Sequence, residues 1–508
     1  MAEVELKLAV RPQDLARARD ILAGRSGHGP AAPTTLVSVY YDTPKRSLVQ
    51  RELMLRVRKH GRRYIQTVKG RTPGAPDPLA RGEWEDAIEG EQPDLAAPHG
   101  GPALQRAAKD GELKPLFKTV VRRTTIPLEP GSSTRIEAAL DEGEVRALGG
   151  DAAEPISEIE LELKSGSPAV LYDVALRLLE AVPLSIETRS KAQRGYDLVD
   201  GARRAPVVHA QAFAIAPEMT LDDVLHGIGL ACLTPVLRNA PAALAGEPDA
   251  IHQMRVSARR LRSLLSAVKP MLSVEHHRWA NDELKWLLDS LGDARNWHVF
   301  AANLLRPVQT ALPLPQDLAP LLRGVEQAQG AATERATEAI RSQRYTDSLL
   351  KLLRWFEARG WRDQPVSKQS SRLMAPIGEV APALLQRRYR QAMKRSKRFA
   401  KLDLAQRHKL RIALKKLRYL SEFLGDLFDR REVKAFLRAL KPLQEALGSA
   451  NDVRAAHELL AERQSIGNSA EIDRGAGLVL GWHDRGLTER EPKLRKQVRR
   501  FRRAEPFW

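Results

Sequence analysis

The chain has 508 residues, 43% of them hydrophobic, which is long enough for two or more domains and ordinary for a folded protein. A single cysteine, Cys232, excludes internal disulfides and most zinc frameworks and suits a reducing cytoplasm; no apolar run approaches a membrane span, and no basic-then-apolar leader signals export. The net charge of +19 is uneven: residues 1–200 carry 29 Lys+Arg against 30 Asp+Glu, and residues 201–508 carry 53 against 33, so a balanced domain precedes a basic one suited to a polyanionic partner.

The first half reads as strands. In MAEVELKLAV, Glu3, Glu5 and Lys7 alternate with Val4, Leu6 and Leu8, the period of two of a strand. A helix near 12–23 follows Pro12. TTLVSVYYDT, LMLRVRK, YIQTVK, ARGEWEDAI, LFKTVVRRTTI, TRIEAAL, EVRAL and ISEIELELK then come as short β-rich segments. Arg71–Pro78 is a Pro/Gly loop, Lys59-His60-Gly61-Arg62 and Asp141-Glu142-Gly143-Glu144 read as hairpin turns, and a second helix lies near 168–181.

The strands share a feature beyond their period. Arg56 and Arg58 alternate with Leu55 and Val57, Arg81, Glu83 and Glu85 share a face, as do Arg135, Glu137 and Asp141, and Glu158, Glu160, Glu162 and Lys164 alternate with Ile159, Leu161 and Leu163. An open sheet with a salt-bridged outer face accounts for this. A closed barrel accounts for it too, with charges inward and a wet interior, because buried charge without partners is very costly. Clustered Lys and Arg suit phosphate oxygens and clustered carboxylates suit Mg²⁺ or Mn²⁺, so both together suit a metal–polyphosphate.

After GARRAPVVHAQAFAIAPEM (201–219), an Ala/Pro-rich link, the period becomes 3.6. Helices are expected around 220–238, 249–269, 276–305, 317–343, 345–360, 376–400, 405–428 and 431–463; the basic tail KLRKQVRRFRRAEPFW has no assignment. IHQMRVSARRLRSLL (251–265) matches RHKLRIALKKLRYLS (407–421) at an offset of 156, and LKWLLDSLGDARN (284–296) matches LKPLQEALGSAND (440–452) at the same offset, which identifies a duplicated unit. His252, Arg255, Arg259 and Arg262 form one helical stripe, and His408, Arg411, Lys415 and Arg418 form its twin. Arg387, Arg388, Arg390, Lys394, Arg395, Lys397, Arg398 and Lys401 add charge in a stretch, 385–401, without any acid. A solvated face normally mixes in Glu, so anion binding is the better reading; with few aromatics for stacking and no nucleic-acid module, nucleic acid is a poor candidate.

EVELK, LMLRVRK, the TVK at 67–69, RGEWE, IEAALDEGEV, EIELELK and SKAQRGYDL resemble the CYTH domain of the triphosphate tunnel metalloenzymes, over about 1–200. That resemblance implies an eight-stranded antiparallel tunnel, open at both ends, acting on triphosphates with Mg²⁺ or Mn²⁺. It implies that Lys7, Arg56, Arg58, Lys69, Arg123 and Lys191 hold phosphates, with Arg122 the rival of Arg123. Glu3, Glu5, Glu83, Glu85, Asp141, Glu160 and Glu162 would hold metal, and Glu3, Glu5, Lys7, Glu160 and Glu162 would be the catalytic set. HQMRVSARRLR and its twin, with LGDARN and LGSAND, resemble the CHAD domain over about 220–460, which implies inorganic polyphosphate held by His252, Arg255, Arg259, Arg262, Arg388, Lys394, Arg395, His408, Arg411, Lys415 and Arg418. Asn296 stands where the second copy has Asp452, so the two loops are not equivalent.

The expectation is therefore an α+β multidomain chain: a CYTH tunnel over 1–203, a link over 204–219, and an all-α CHAD domain over 220–505 with repeats near 249–305 and 405–461. The expected activity is metal-dependent hydrolysis of inorganic triphosphate to pyrophosphate and phosphate, in the cytoplasm or at polyphosphate granules. Thiamine or nucleoside triphosphates, adenylate cyclisation, or a non-catalytic polyphosphate scaffold are the alternatives.

Overall fold

The computed structural model describes residues 4–24, 29–61, 63–71, 81–99, 101–109, 111–131, 133–201, 206–312, 315–461, 466–467 and 469–508; Glu3 and most of the loop at 71–78 lie outside them. The chain divides into Met1–Ala205 and Pro206–Trp508.

The first unit is built on one antiparallel sheet. Its elements are β1 (Val4–Val10), α1 (Pro12–Ala23), β2 (Thr34–Asp42), α2 (Ser47–Gln50), β3 (Met54–His60), β4 (Arg63–Arg71), β5 (Arg81–Ile88), α3 (Gly101–Ala108), β6 (Lys114–Gly131), β7 (Thr134–Ala147), β8 (Ala153–Ser165), α4 (Ala169–Leu179), β9 (Leu184–Ile186) and α5 (Lys191–Val199). The order is β5-β4-β3-β2-β6-β7-β8-β1-β9. Among the described residues nine strands are present where eight were expected, because the three-residue β9 adds to β1. The turn expected at Asp141–Glu144 is not there: β7 runs through it. Gly143 pairs with Val121, and a Cβ on it would overlap the Val120 carbonyl, so this glycine serves close approach of two backbones. The other expected turn holds, with Gly61 at φ +63° between β3 and β4.

Alternation divides the sheet into two faces. On the outer one Tyr41, Leu55, Val57 and Val68 pack with Leu48 and Leu104 of α2 and α3, while Leu6, Leu8, Ile159 and Leu161 are buried toward the side carrying α1 and α4. The opposite face carries the charges, and α5 lies over part of it. Tyr196 and Ala192 of α5 pack on Tyr40, Phe117, Val145 and Ile156, an apolar end to an otherwise charged face. Ser190 caps α5 by accepting from the Gln193 N–H, and the Tyr196 hydroxyl donates to buried Asp42 at 3.2 Å. Asp42 also accepts from the N–H groups of Thr43, Leu48 and Val49, so one carboxylate ties α2 and α5 to the end of β2.

The second unit is helical: α6 (Leu221–Arg238), α7 (Ala240–Leu244), α8 (Pro248–Val268), α9 (Val274–Ser290), α10 (Gly292–Val299), α11 (Arg306–Ala311), α12 (Pro315–Arg341), α13 (Gln343–Glu357), α14 (Ile377–Arg395), α15 (Leu404–Leu424), α16 (Arg430–Ala461) and α17 (Ala470–Arg503). The single helix expected over 276–305 is broken at Leu291 and continues as α10 and a π-helical turn, Phe300–Leu305. The unassigned tail ends a 34-residue helix, α17, whose interior Pro492 and scattered glycines obscure its period. Residues after it pack inward: Phe507 and Trp508 meet Phe436, and the Trp508 indole donates to Gln386 at 3.0 Å. The segment before α6 docks on that helix, Val208 exchanging two hydrogen bonds with the Asn239 amide. Thr220 and Asp223 form a capping box on α6, and buried Asp222 accepts from the Trp361 indole and from Arg359 and Arg362, anchoring the turn after α13.

Candidate functional site

Strand register builds the charged face row by row. Glu5 of β1 lies beside Glu162 of β8, which lies beside Glu137 of β7. One step along, Lys7 is beside Glu160; one step further, Glu158 is beside Asp141, which is beside Arg123 of β6. Toward the other edge, Arg56 pairs with Thr67, Thr67 with Glu85, and Lys69 with Glu83. All these side chains share one parity, so the pleat aims them to one face. Arg122 is exposed and Arg123 turned inward, which resolves the choice between them.

The charges are extensively paired. Arg123 clasps Asp141 with two hydrogen bonds of 2.7 and 2.6 Å and reaches Glu160 at 2.5 Å. Lys191, at the start of α5, contacts Glu158, lies 2.7 Å from Asp141 and is 2.9 Å from Glu160. Lys7 lies 3.0 Å from Glu5 and 3.5 Å from Glu160. Lys69 and Arg56 approach Glu83 at 2.8 and 3.6 Å, and Arg56 approaches Glu85 at 3.8 Å. Glu162 pairs with Lys164 at 2.6 Å. Burial opposes ionisation of Glu160, but Lys191, Lys7 and Arg123 outweigh it and hold the carboxyl well below its usual range. Burial likewise opposes the Lys191 ammonium, and Glu160, Asp141 and Glu158 outweigh it, raising the pKa. Arg58 differs: burial, then the charge of Arg56, push it down to about 10, and among the described residues its one hydrogen bond goes from Nε to the neutral Ser38 hydroxyl.

The donor chemistry fits a hard divalent cation. One oxygen from each of Asp141, Glu158 and Glu160 lies within 4.8 Å of the others, and carboxylate oxygens are what Mg²⁺ and Mn²⁺ take. The Lys191 ammonium and the Arg123 guanidinium are seated on this same triad, so a cation there would meet tethered competitors. Glu5, Glu162 and Glu137 form a second carboxylate row alongside.

Sequence reasoning left Glu158 and Arg194 out of the site. Glu158 has the parity of Glu160 and is 1% exposed, so alternation alone identifies it. Arg194 donates to Glu154 at 2.8 Å, to Glu158 at 3.2 Å and to the Pro155 carbonyl. One helical turn after Lys191, it fixes α5 over the triad; nothing in the strand pattern points to it.

In the helical unit the two basic stripes meet. Arg259 of α8, Arg295 of α10, and Arg411 and Lys415 of α15 converge around Asp452 of α16 closely enough to influence one another's ionisation. Among the described residues none of these four cations makes a direct ion pair with a carboxylate, and the Arg411 Nε is buried without a hydrogen-bond partner. Burial, then Arg411 and Arg259, push Lys415 down to about 7. His408 is held by Asn451 at 2.6 Å, whereas His252 faces Arg295, the residue matching Asn451 in the first copy; burial and that charge push it down to about 4. A second basic group surrounds Ser266, whose hydroxyl accepts from Arg388 at 2.9 Å and Lys416 at 3.2 Å, with Arg262 and Arg395 near Lys416.

Other expected ligands point elsewhere. Arg255 is 6% exposed and donates to the Leu288 carbonyl at the end of α9, so it braces that helix instead of joining the cluster around Asp452. Arg418 pairs with Glu422 at 3.4 Å and stacks on Tyr419. Arg395 donates to the Lys409 carbonyl at 2.8 Å, and Lys394 is exposed. Arg295 and Lys416 were missed because neither belongs to the periodic stripe.

A CYTH-domain family model matches residues 1–196 and a CHAD-domain model residues 228–461. The N-terminal unit is a CYTH domain and the helical unit a CHAD domain. An inorganic triphosphatase of Haemophilus influenzae is 32% identical over 199 residues, 39% of this chain and 54% of that protein. An uncharacterised Mycobacterium tuberculosis protein is 27% identical over 337 residues, 61% of each. The chain thus spans about half to three-fifths of the curated relatives it matches. The crystal structure of the CHAD domain from the plant Ricinus communis superposes with a TM-score of 0.51 at 27% identity, covering 59% of this chain and 98% of that one.

Proposed function

We propose that the CYTH unit hydrolyses inorganic triphosphate to pyrophosphate and phosphate, dependent on a divalent cation, and that the CHAD unit binds inorganic polyphosphate. The observation that carries the first part is the array on one sheet face, where Lys7, Arg56, Arg58, Lys69, Arg123 and Lys191 stand among eight carboxylates from four strands, β1, β5, β7 and β8. The similarity to the Haemophilus triphosphatase supports the same substrate.

In this reading Arg58, already short of carboxylate partners, and Arg56 and Lys69 take the phosphate chain by charge-assisted bonds. Lys7, Arg123 and Lys191 sit where charge develops on the transferring phosphoryl oxygens, and preorganised cations there lower the barrier. A bound divalent cation, held by Asp141, Glu158 and Glu160 or by Glu5, Glu137 and Glu162, would neutralise the phosphates and lower the pKa of an attacking water. The helical part rests on half-buried Arg259, Arg295, Arg411 and Lys415, which make no direct ion pair among the described residues and share one carboxylate, Asp452, so a bound polyanion would offset their desolvation.

The test is phosphate release from tripolyphosphate, ATP and thiamine triphosphate with Mg²⁺ or Mn²⁺, beside the Glu160→Gln/Glu162→Gln double variant. Release from tripolyphosphate that needs metal and falls at least about 100-fold in the variant is expected. Release no faster than in the variant, from every substrate, would sink the enzyme reading.

A further inference from the structure

Among the cations of the helical unit one acid is out of place. Asp452 of α16 lies with Arg259, Arg295, Arg411 and Lys415, contributed by α8, α10 and α15; α10 and α15 pack directly on α16, and α8 packs on both of them. Its neighbour Asn451 holds His408 at 2.6 Å, and no cation forms a direct ion pair with Asp452 among the described residues. A site built only to attract negative charge gains nothing from a carboxylate, which repels every anion that enters. The first copy of the duplicated unit has Asn296 at the matching position, so the acid is not required by the helical architecture. Burial raises the Asp452 pKa although Arg411, Lys415 and Arg295 pull it down, so its environment favours acquiring a proton or a hydrogen-bond donor.

A carboxylate in a cationic pocket discriminates between anions of one shape by asking for a hydrogen. Phosphate near neutral pH carries a P–OH that donates to the carboxylate; sulfate carries none and meets repulsion alone. Within a polyphosphate chain the interior phosphates are fully ionised, and only the terminal ones, which titrate near pH 6, bear a hydroxyl. Resting on the polyphosphate reading above, we propose that Asp452 makes the Arg259, Arg295, Arg411 and Lys415 cluster the seat of a chain end, accepting a hydrogen bond from the protonated terminal phosphate and rejecting anions without a proton. The first copy, with Asn296, makes no such demand, so the two copies differ in the part of the chain they would hold.

Displacement of fluorescent long-chain polyphosphate from the full-length protein, in EDTA at pH 6.5, tests this. The competitors are phosphate against sulfate, and linear tripolyphosphate against cyclic trimetaphosphate, which has no ends. A hydrogen bond to a charged group corresponds to a preference of about tenfold. Wild type is expected to favour phosphate and the linear chain, and Asp452→Asn to bring each ratio within about twofold of unity by admitting sulfate and the ring. The CYTH face is common to both proteins, so any change in ratio belongs to Asp452. If Asp452→Asn tightens all four competitors by one factor, the acid is a plain counter-ion and the proposal falls. Asp452→Ser gives the same readout should the amide disturb Asn451. Failure of wild type to bind the long chain at all would instead remove the polyphosphate reading itself.

Discussion

Asp141, Glu158 and Glu160 concentrate three negative charges in a space that is almost wholly buried, and Lys191 and Arg123 are what make this tolerable. Lys191→Met leaves the triad one cation short, and breaking a buried pair of this kind costs about 3 kcal/mol. A lower melting temperature is expected, together with a larger upward shift on adding Mn²⁺ than in wild type, since the cation then enters without displacing the ammonium; thermal scans with and without metal read both. The Glu160 carboxyl is held below its ordinary value, so its stabilising pairing is complete above the unfolded pKa and is lost as pH falls through the folded one. Glu160→Gln should therefore flatten the decline in stability below about pH 4 seen in urea titrations of wild type. Lys415 behaves oppositely. Pushed down to about 7, it is protonated in the unfolded chain and neutral in the folded one from there up to its ordinary range, so its penalty is full below pH 7 and fades above. Polyphosphate binding needs the protonated form. Affinity measured by anisotropy should fall between about pH 7 and 9, and Lys415→Met should remove that part of the slope.

At the scale of elements, α5 decides whether the charged face becomes a site. Its position depends on Gly195, where a Cβ would overlap the Phe117 ring. Gly195→Ala should cost about 1–3 kcal/mol by overpacking and lift Lys191 from the triad, so phosphate release should fall by more than the loss of folded protein explains. Circular dichroism and turnover on the same sample separate the two effects. Helix α6 depends on one side chain in a comparable way: Asp222→Ala strands the buried Trp361 indole and takes one partner from Arg359, which keeps Asp223, and from half-exposed Arg362, and a loss of about 1–3 kcal/mol in urea unfolding is expected.

Across the whole molecule, the balanced half and the basic half make different electrostatic demands. On the sheet face cations and carboxylates pair with one another, whereas the excess charge of residues 201–508 has no internal partner. Polyphosphate binding should thus weaken steeply with salt, since it proceeds by counterion release, while tripolyphosphate turnover at saturation changes little. The double variant Arg411→Ala/Lys415→Ala should lose at least about tenfold in polyphosphate affinity and keep its turnover, which parallel binding and phosphate-release assays on one preparation would show.

Much of this was legible in the residues. Strict alternation in EVELK, LMLRVRK and EIELELK makes strand and face a single statement, so the common face of Lys7, Arg56, Arg58, Glu160 and Glu162 followed from the pleat, and the 156-residue offset paired the two basic helices α8 and α15, which pack on each other. Local patterns are carried by neighbours in the chain, and these features are local. What failed was decided at a distance. Gly143 reads as a turn residue, yet it sits in mid-strand because the Val120 carbonyl comes up against it. Arg255 continues the stripe of Arg259 and Arg262, yet the end of α9 captures it; Arg295 and Asp452 lie outside any stripe, yet helix packing brings them to the cluster. Periodicity states which way a side chain leaves its own backbone. Which charges face it, and whether they neutralise it or leave it waiting for a ligand, depends on elements far away in sequence, as Arg259 and Asp452 are, and only the tertiary structure brings those together.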